Sequence, residues 1–174
     1  RSSDLFNMGI VYFATMRGIP QFFYGTEILM NSNKSPGNHG LIRSNFPGGF
    51  PGDIINAFNR KGLNVDQIKT LDFFKKILNW RKYNEVIHHG KLIQFAPKTG
   101  GWDEVYSYFR IHNKKKVWVL FNRGNHTIEV DMERYSELIE NHTTGYEILT
   151  DRNIELKKGI LMEGKSSMII ELNP

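Results

Sequence analysis

A segment near the start of the chain most constrains what the chain can fold into, because it is helical in pattern and apolar nearly all round. Its apolar positions in residues 4–17 recur near helical spacing and fill most of the remaining surface as well. Gly18 ends this predicted helix, and the aromatic run 19–24 follows as a predicted buried parallel strand with Pro20 at its entrance. Such a helix–strand unit needs neighbours on both sides, so we expect its partners to precede this chain.

The middle of the chain combines a long loop with two predicted helices. Residues 27–52 are rich in Gly, Pro, Asn and Ser, and a loop of this length in a compact protein is usually functional. Asp53 is placed to cap a short helix through residue 58. An amphipathic stripe then predicts a longer helix over residues 65–83.

After residue 84 the apolar period changes to two, which predicts β-structure and places a boundary near residues 84–90. Short strands separated by polar turns are typical of an antiparallel sandwich. The fold class is therefore α+β, with an all-β second part. The predicted strands are 92–95, 105–111, 117–121, 128–131, 146–149, 154–156 and 168–172.

Composition excludes several classes of protein. The 174 residues are 40% apolar and carry a formal charge of +5, but only Lys114–Lys116 forms a basic run, which we interpret as a hairpin tip rather than a nucleic-acid contact. The absence of cysteine excludes disulfides and thiolate metal sites. No apolar run reaches membrane-spanning length, so no membrane partner is predicted. The compartment, cytoplasmic or periplasmic, stays open, since any signal peptide would lie upstream.

Three segments carry a resemblance to a known family. Residues 16–28, MRGIPQFFYGTEI, resemble the last barrel strand of the α-amylase superfamily, glycoside hydrolase family 13. Residues 40–53 resemble a loop of its cyclomaltodextrinase and neopullulanase branch, although Asn45 stands where that branch usually has Asp. Residues 78–84 are similar to the family's passage from its final helix into an all-β C-terminal domain.

The resemblance implies a fold and an activity. Residues 1–84 would form the last helix–strand–helix part of a (β/α)₈ TIM barrel, with the loop 25–52 on its active-site side, and residues 85–174 an all-β, amylase-type C-terminal domain. The parent enzyme would be a retaining α-glycosidase that hydrolyses α-1,4-glucosidic bonds in cyclodextrins, pullulan or maltodextrins. Its partners would be an α-glucan oligosaccharide and the missing N-terminal part of the barrel. Pairing with another copy is a further way to cover the exposed remnant.

The carboxylates that cleave the bond are not found in this sequence. Retaining glycosidases need a nucleophile and an acid/base, and the family adds a third carboxylate, in motifs that do not occur here. We interpret Glu27 as structural and Asp53 as a helix cap in preference to a sugar ligand. We therefore expect no catalytic residue, no cofactor and no metal site, and expect this chain to be inactive alone.

Five residues are candidates for substrate binding: Arg43, Phe46, Phe50, Tyr24 and His39. Arg43 could donate paired hydrogen bonds to sugar hydroxyls, or equally lock the loop through a salt bridge. The three aromatic side chains offer faces on which glucose rings stack, although simple packing is favoured for Tyr24. His39 lies in the same loop.

Two other interpretations compete with the hydrolase. A non-catalytic carbohydrate-binding module would use the β domain alone, but the apolar helix–strand unit in front of it argues against a free-standing module. A transglycosylase or isomerase on the same barrel fits the visible motifs equally. The adjacent His88 and His89 are interpreted as a surface turn, because no third metal ligand is near them in sequence.

Overall fold

The structure is a computed structural model that describes residues 2–31, 37–40, 42–95 and 105–172. It divides into two compact units, which we call the sheet unit (Arg1–Ile19 with Ile77–Pro174) and the loop unit (Pro20–Lys76). Within the described ranges, every helix is too short or too polar to cross a membrane.

The helices and strands follow in chain order. The helices are α1 (Ser2–Thr15), α2 (Val65–Lys82), α3 (Glu85–His89) and α4 (Ser136–Ile139), and three 3-10 turns lie at Thr26–Ile28, Met132–Tyr135 and Leu156–Lys158. The strands are β1 (Lys91–Phe95), β2 (Tyr106–His112), β3 (Lys115–Asn122), β4 (Ile128–Glu129), β5 (Thr144–Glu147), β6 (Arg152–Glu155), β7 (Leu161–Met162) and β8 (Ser166–Leu172).

All strand pairs named here are antiparallel. Six strands form one sheet in the order β1-β2-β3-β8-β5-β6, and β4 pairs with β7 in a separate two-stranded sheet. Each strand predicted from the period-two pattern overlaps an observed one, so the antiparallel β domain is confirmed. The second layer differs from the expected sheet, because it consists of the β4–β7 pair together with helical turns. The two-residue strand β7 is too short to show a period.

The basic run lies where the sequence predicted a turn. β2 and β3 are joined at Asn113 and Lys114, which have φ values of 47° and 67°. Two consecutive left-handed residues match the tight turns whose twist suits a hairpin. Lys114 therefore lies at the hairpin tip as interpreted, whereas Lys115 and Lys116 are the first residues of β3.

One face of the six-stranded sheet packs on the second layer. The rings of Phe109 and Trp118 stack at 5.1 Å between centroids, and Tyr135 packs at 4.8 Å from Trp118. Ile170 from β8 and Met162 from β7 belong to the same buried cluster. Aromatic burial of this kind dominates the free energy of a core.

Helix α1 packs on the opposite face of the sheet. Its Tyr12 ring meets the rings of Tyr108 and Phe121 edge-on, at 6.4 and 6.2 Å. The hydroxyl groups of Thr15 and Tyr108 are 2.5 Å apart, and Val11 is fully buried. The predicted helix 4–17 is confirmed, with α1 beginning and ending two residues earlier than predicted. Because both faces of the sheet are covered, β2 and β3 bury side chains that point to either face.

Two arginines donate hydrogen bonds to backbone carbonyls at the C-terminal end of α1 and just after it. Arg110 on β2 donates to the carbonyl of Thr15 at 2.8 Å, and Arg81 on α2 donates to the carbonyls of Ala14 and Gly18 at 2.6 and 2.9 Å. The last carbonyls of a helix lack partners within it and carry partial negative charge, so cations stabilise this end.

The guanidinium of Arg110 also joins α1 to the start of β1. It donates through Nε and Nη2 to the carbonyl of Gly90, at 3.3 and 3.0 Å, and the residue is only 2% exposed. Burial lowers the pKa of Arg110 because desolvation disfavours the charged form. The carbonyl oxygens of Thr15 and Gly90 compensate for the lost water.

Glu171 on β8 anchors the junction between α2 and α3. Its Oε1 accepts hydrogen bonds from Trp80 Nε1 at 2.7 Å and from Asn84 Nδ2 at 2.8 Å. The Oδ1 atom of Asn84 accepts from the backbone N–H of Ile87, which caps α3. The predicted helix over residues 65–83 is thus confirmed, and the chain turns after it at a defined point.

Two predictions for the N-terminal half are wrong. Residues 19–24 form no strand, and Ile19 is 96% exposed, because no strand in the described ranges pairs with this segment and a ladder needs a partner. Residues 53–58 form no helix. The backbone of Asn56 instead pairs with Lys61 in an isolated antiparallel bridge, which is incompatible with helical geometry.

Replacing Arg110 tests how much the sheet unit depends on it. Arg110→Ala leaves the buried carbonyls of Thr15 and Gly90 without their donors, so we expect the free energy of unfolding to fall by about 3–5 kcal/mol. Urea denaturation followed by circular dichroism measures this. The exposed Arg152→Ala should change the same quantity by less than about 0.5 kcal/mol. Equal losses in the two variants would contradict the role assigned to Arg110.

The phenol of Tyr108 predicts a loss of stability in alkali. Burial raises the pKa of Tyr108 above its ordinary value. The unfolded chain therefore releases this proton near pH 10 while the folded chain keeps it, so stability is complete below pH 10 and falls as pH rises further. We expect the melting temperature to drop less steeply above pH 10 in Tyr108→Phe than in the native chain. Identical slopes would refute the assignment.

Candidate functional site

The loop unit is built on the first part of α2. Asn64 and Gln67 form a reciprocal capping box, in which each side-chain oxygen accepts from the other residue's backbone N–H, at 2.9 and 3.0 Å. Gln67 Nε2 also donates to the carbonyl of Ile28 at 3.0 Å. The ring of Phe22 packs edge-on against Phe74 at 5.2 Å. The segment after Pro20 is thereby held on the helix.

A glycine turn directs the chain after Tyr24. Gly25 has a φ of 84°, and an added Cβ would lie 2.4 Å from Met30 Sδ, so only glycine fits. The backbone N–H of Met30 donates to the Gly25 carbonyl at 2.8 Å. This closes a compact turn around Thr26–Ile28 and leaves Tyr24 at its edge.

Tyr24 borders a small hollow. Its hydroxyl donates to the carbonyl of Ser44 at 2.9 Å, which joins the turn to the loop twenty residues later. The hollow holds about 110 Å³ and is lined by these two residues together with Phe23, Thr26 and Ile42 among others. Its described lining contains no Asp or Glu. The arrangement offers hydroxyl, carbonyl and aromatic contacts, but no pair of carboxyl groups for glycoside cleavage.

Asp53 organises the turn that carries Phe50. Its Oδ2 accepts from the backbone N–H groups of Gly48 at 2.7 Å and Phe50 at 3.1 Å. The expected helix cap is therefore wrong, because the carboxylate bonds backward to the preceding turn. Phe46 lies at the start of this turn, and its ring packs 5.4 Å from that of Phe58.

Four of the five candidate residues fall into two groups. Tyr24 is 43% exposed and lies at the hollow, and Arg43 is exposed between two of the lining residues. Phe46 and Phe50 belong to the turn organised by Asp53, where Phe50 is 59% exposed. His39 is exposed before them in the loop. The predicted loop 25–52 is only partly described, since residues 32–36 and 41 lie outside the described ranges.

The paired histidines have a different setting from the one predicted. His88 and His89 form the last turn of α3 rather than a surface turn, with ring centroids 6.0 Å apart. The ring of His112 on β2 is 5.8 Å from that of His89. Among the described residues, no group of three His, Cys, Asp or Glu is placed to hold a metal ion.

Sequence inspection missed the hydrogen bond between Tyr24 and Ser44. The acceptor is a backbone carbonyl, which every residue carries, so no residue type marks the position. The glycine after an aromatic run was the available signal, because a left-handed turn there brings the next segment back toward the tyrosine.

A family model matches the second half of the chain. Residues 92–171 match the model described as the cyclo-malto-dextrinase C-terminal domain. This range runs from β1 into β8 and includes residues of all six strands of the larger sheet.

Solved structures of amylases share the fold of nearly the whole chain. A noncanonic maltogenic α-amylase from Thermotoga neapolitana matches with a TM-score of 0.67 and 16% identity. The match covers 99% of this chain and 37% of the amylase chain. The α-amylase from Geobacillus thermoleovorans, in complex with acarbose, matches with a TM-score of 0.66 and 17% identity. The match covers 98% of this chain and 34% of the amylase chain. AmyP in complex with maltotriose matches with a TM-score of 0.68 and 11% identity. The match covers 98% of this chain and 35% of the AmyP chain.

The chain therefore spans about a third of the length of these structures. The family resemblance first carried by residues 16–28 and 40–53 agrees with a domain match that lies in a different part of the chain. Residues 92–171 are similar to the cyclo-malto-dextrinase C-terminal domain, and nearly the whole chain shares its fold with solved α-amylase structures.

Proposed function

We propose that this chain is the C-terminal part of a retaining hydrolase that cleaves α-1,4-glucosidic bonds in cyclodextrins, pullulan or maltodextrins. The observation that carries the proposal is the match of residues 92–171 to the cyclomaltodextrinase C-terminal domain. The structures with acarbose and maltotriose support an α-glucan as the ligand of the parent enzyme.

In this proposal the two parts of the chain, divided after residue 84, have different roles. Residues 1–84 supply the last helix–strand–helix part of the (β/α)₈ barrel, and residues 85–174 the β domain. In this proposal the segment 19–24 becomes a strand only when the strands that precede this chain pair with it. Its glycine turn then sets Tyr24 and the loop 25–52 at the carboxyl end of the barrel, where such enzymes bind substrate.

Substrate contacts are proposed for five exposed or partly exposed residues. Arg43 donates to sugar hydroxyls through its planar guanidinium, which presents paired N–H groups. Tyr24, Phe46 and Phe50 offer ring faces to the apolar C–H faces of glucose. His39 is proposed as a further contact from the same loop. All five lie in the loop unit; Tyr24 lines the hollow, and Arg43 lies in sequence between two of its lining residues.

The catalytic carboxyl groups are proposed to lie in the part of the enzyme that precedes this chain. The two acidic groups near the family motifs have other surroundings here. Asp53 bonds to the backbone of its own turn, and Glu27 lies in the 3-10 turn that Gln67 holds on α2. Neither residue lines the hollow beside Tyr24.

The isolated chain should not hydrolyse maltodextrin. Without a nucleophile and an acid/base about 5 Å apart, no glycosyl intermediate can form. We expect no reducing sugar above a protein-free blank with the purified 174-residue chain, while the longer polypeptide that includes the preceding barrel releases it. Turnover by the chain, with contaminating amylase excluded by mass spectrometry, would falsify the assignment. Chromatography of the longer polypeptide's products separates hydrolysis from transfer to a second sugar.

Substituting Arg43 in the longer polypeptide tests the substrate site. Arg43→Ala should lower kcat/KM for maltotriose about 10–100-fold through loss of charge-assisted hydrogen bonds, and Arg43→Lys should lose less. The matched control is Arg60→Ala, because Arg60 is exposed in the same unit and pairs with Asp72. If Arg43 only locks the loop, both of its variants will change the melting temperature and leave KM unaltered.

A further inference from the structure

Two residues on one side of α2 hold the segment 22–28. Gln67 donates through Nε2 to the carbonyl of Ile28 at 3.0 Å. The ring of Phe74 packs against that of Phe22 at 5.2 Å. Positions 67 and 74 have the i, i+7 relation, so they share one side of the helix and lie about 10 Å apart along its axis. The segment is therefore fixed to α2 near each of its ends.

The amide of Gln67 makes two hydrogen bonds that have different roles. Its Oε1 accepts from the backbone N–H of Asn64 at 3.0 Å, which caps α2, while its Nε2 donates to Ile28 in the earlier turn. The residue is half-buried, so a polar group that lost its partner here would be incompletely hydrated. The cap needs only a side-chain oxygen, whereas the bond to the turn needs an N–H donor.

The turn connects Ile28 closely to Tyr24. The side chain of Ile28 is fully buried, and its backbone N–H donates to the carbonyl of Gly25 at 3.2 Å. The same carbonyl accepts from Met30 at 2.8 Å, and an added Cβ on Gly25 would lie 2.4 Å from Met30 Sδ. Because the turn is closed on itself in this way, a shift of Ile28 is transmitted to Gly25 and to Tyr24, which directly precedes it.

Tyr24 carries the connection onward to the loop that contains Arg43. Its hydroxyl donates to the carbonyl of Ser44 at 2.9 Å, and both residues line the hollow. Arg43 directly precedes Ser44, so its backbone is placed by the same hydrogen bond. Gln67 does not line the hollow in the part of the chain that the structure describes. Its influence on this site is therefore indirect.

We propose that Gln67 is a positioning residue for substrate binding. Its Nε2 donor fixes the turn Thr26–Ile28 on α2, and the turn in its place sets Tyr24 and Arg43 at the hollow. That these two residues contact an α-glucan rests on the proposed function. Binding groups act well when they are held to within about 0.5 Å of the productive geometry, and a hydrogen bond to a helix supplies such a restraint.

Gln67→Glu in the longer polypeptide separates the two roles of the amide. Glutamate at this position keeps the cap on Asn64, but its carboxylate cannot donate to the carbonyl of Ile28. We expect KM for maltotriose to rise about 10-fold and kcat to stay within about 2-fold, because the displaced groups bind the ground state and the transition state alike. The melting temperature should change by less than about 2 °C, since the helix keeps its cap.

Asn64→Ala is the matched control, because it removes the cap and leaves the Nε2 donor of Gln67 in place. The Asn64 side chain accepts from the backbone N–H of Gln67 at 2.9 Å. Its loss should lower the melting temperature by roughly 4 °C and leave KM within about 2-fold of the native value. An unchanged KM in Gln67→Glu, or the same rise in KM in both variants, would overturn the inference.

A second measurement on the ¹⁵N-labelled 174-residue chain keeps this inference distinct from the proposed function. Gln67→Glu should shift the backbone amide signals of residues 24–30 and 42–44, and Asn64→Ala should leave them in place. Unmoved signals in Gln67→Glu would overturn the inference and leave the proposed function standing. A native longer polypeptide without activity on maltotriose would instead overturn the proposed function, whatever the amide signals show.

Discussion

The sheet unit depends on the buried guanidinium of Arg110. It satisfies the C-terminal end of α1 and the carbonyl of Gly90 at once, so it joins the first helix, the start of β1 and the strand β2. Without α1, the face that carries Tyr108, Phe121 and their neighbours would meet water. In the part of the chain that the structure describes, the guanidinium bonds to backbone carbonyls, and helix and backbone dipoles compensate for its charge.

Much of the fold could be predicted because its signals are local. Period-two alternation located every strand except β7, and apolar spacing located α1 and α2. What α1 packs against could not be predicted, since an all-round apolar helix shows that it is buried and not what covers it. The prediction of a strand at residues 19–24 was wrong for a related reason. Its composition suits a strand, but a strand also needs a partner.

The candidate sites were less predictable, because they are assembled from distant residues. Tyr24 was named for its ring, yet its hydroxyl is engaged by the carbonyl of Ser44, which no residue type marks. The structural role of Arg110 was equally unmarked. It shares its repeat with Tyr106 and Tyr108, opposite Phe109 and Ile111, and an arginine at such a position is ordinarily expected to face water.

The packing of α1 on β8 has a consequence for the order of synthesis. About 150 residues separate the end of α1 from the start of β8, its neighbour in the sheet unit. At typical rates a ribosome needs roughly 10–30 s to add that length. During this interval the helix has left the tunnel and the sheet that covers it is incomplete. The Tyr12 ring stays exposed until β2 and β3 have been made, and the part of α1 that meets β8 stays exposed until the last strand follows.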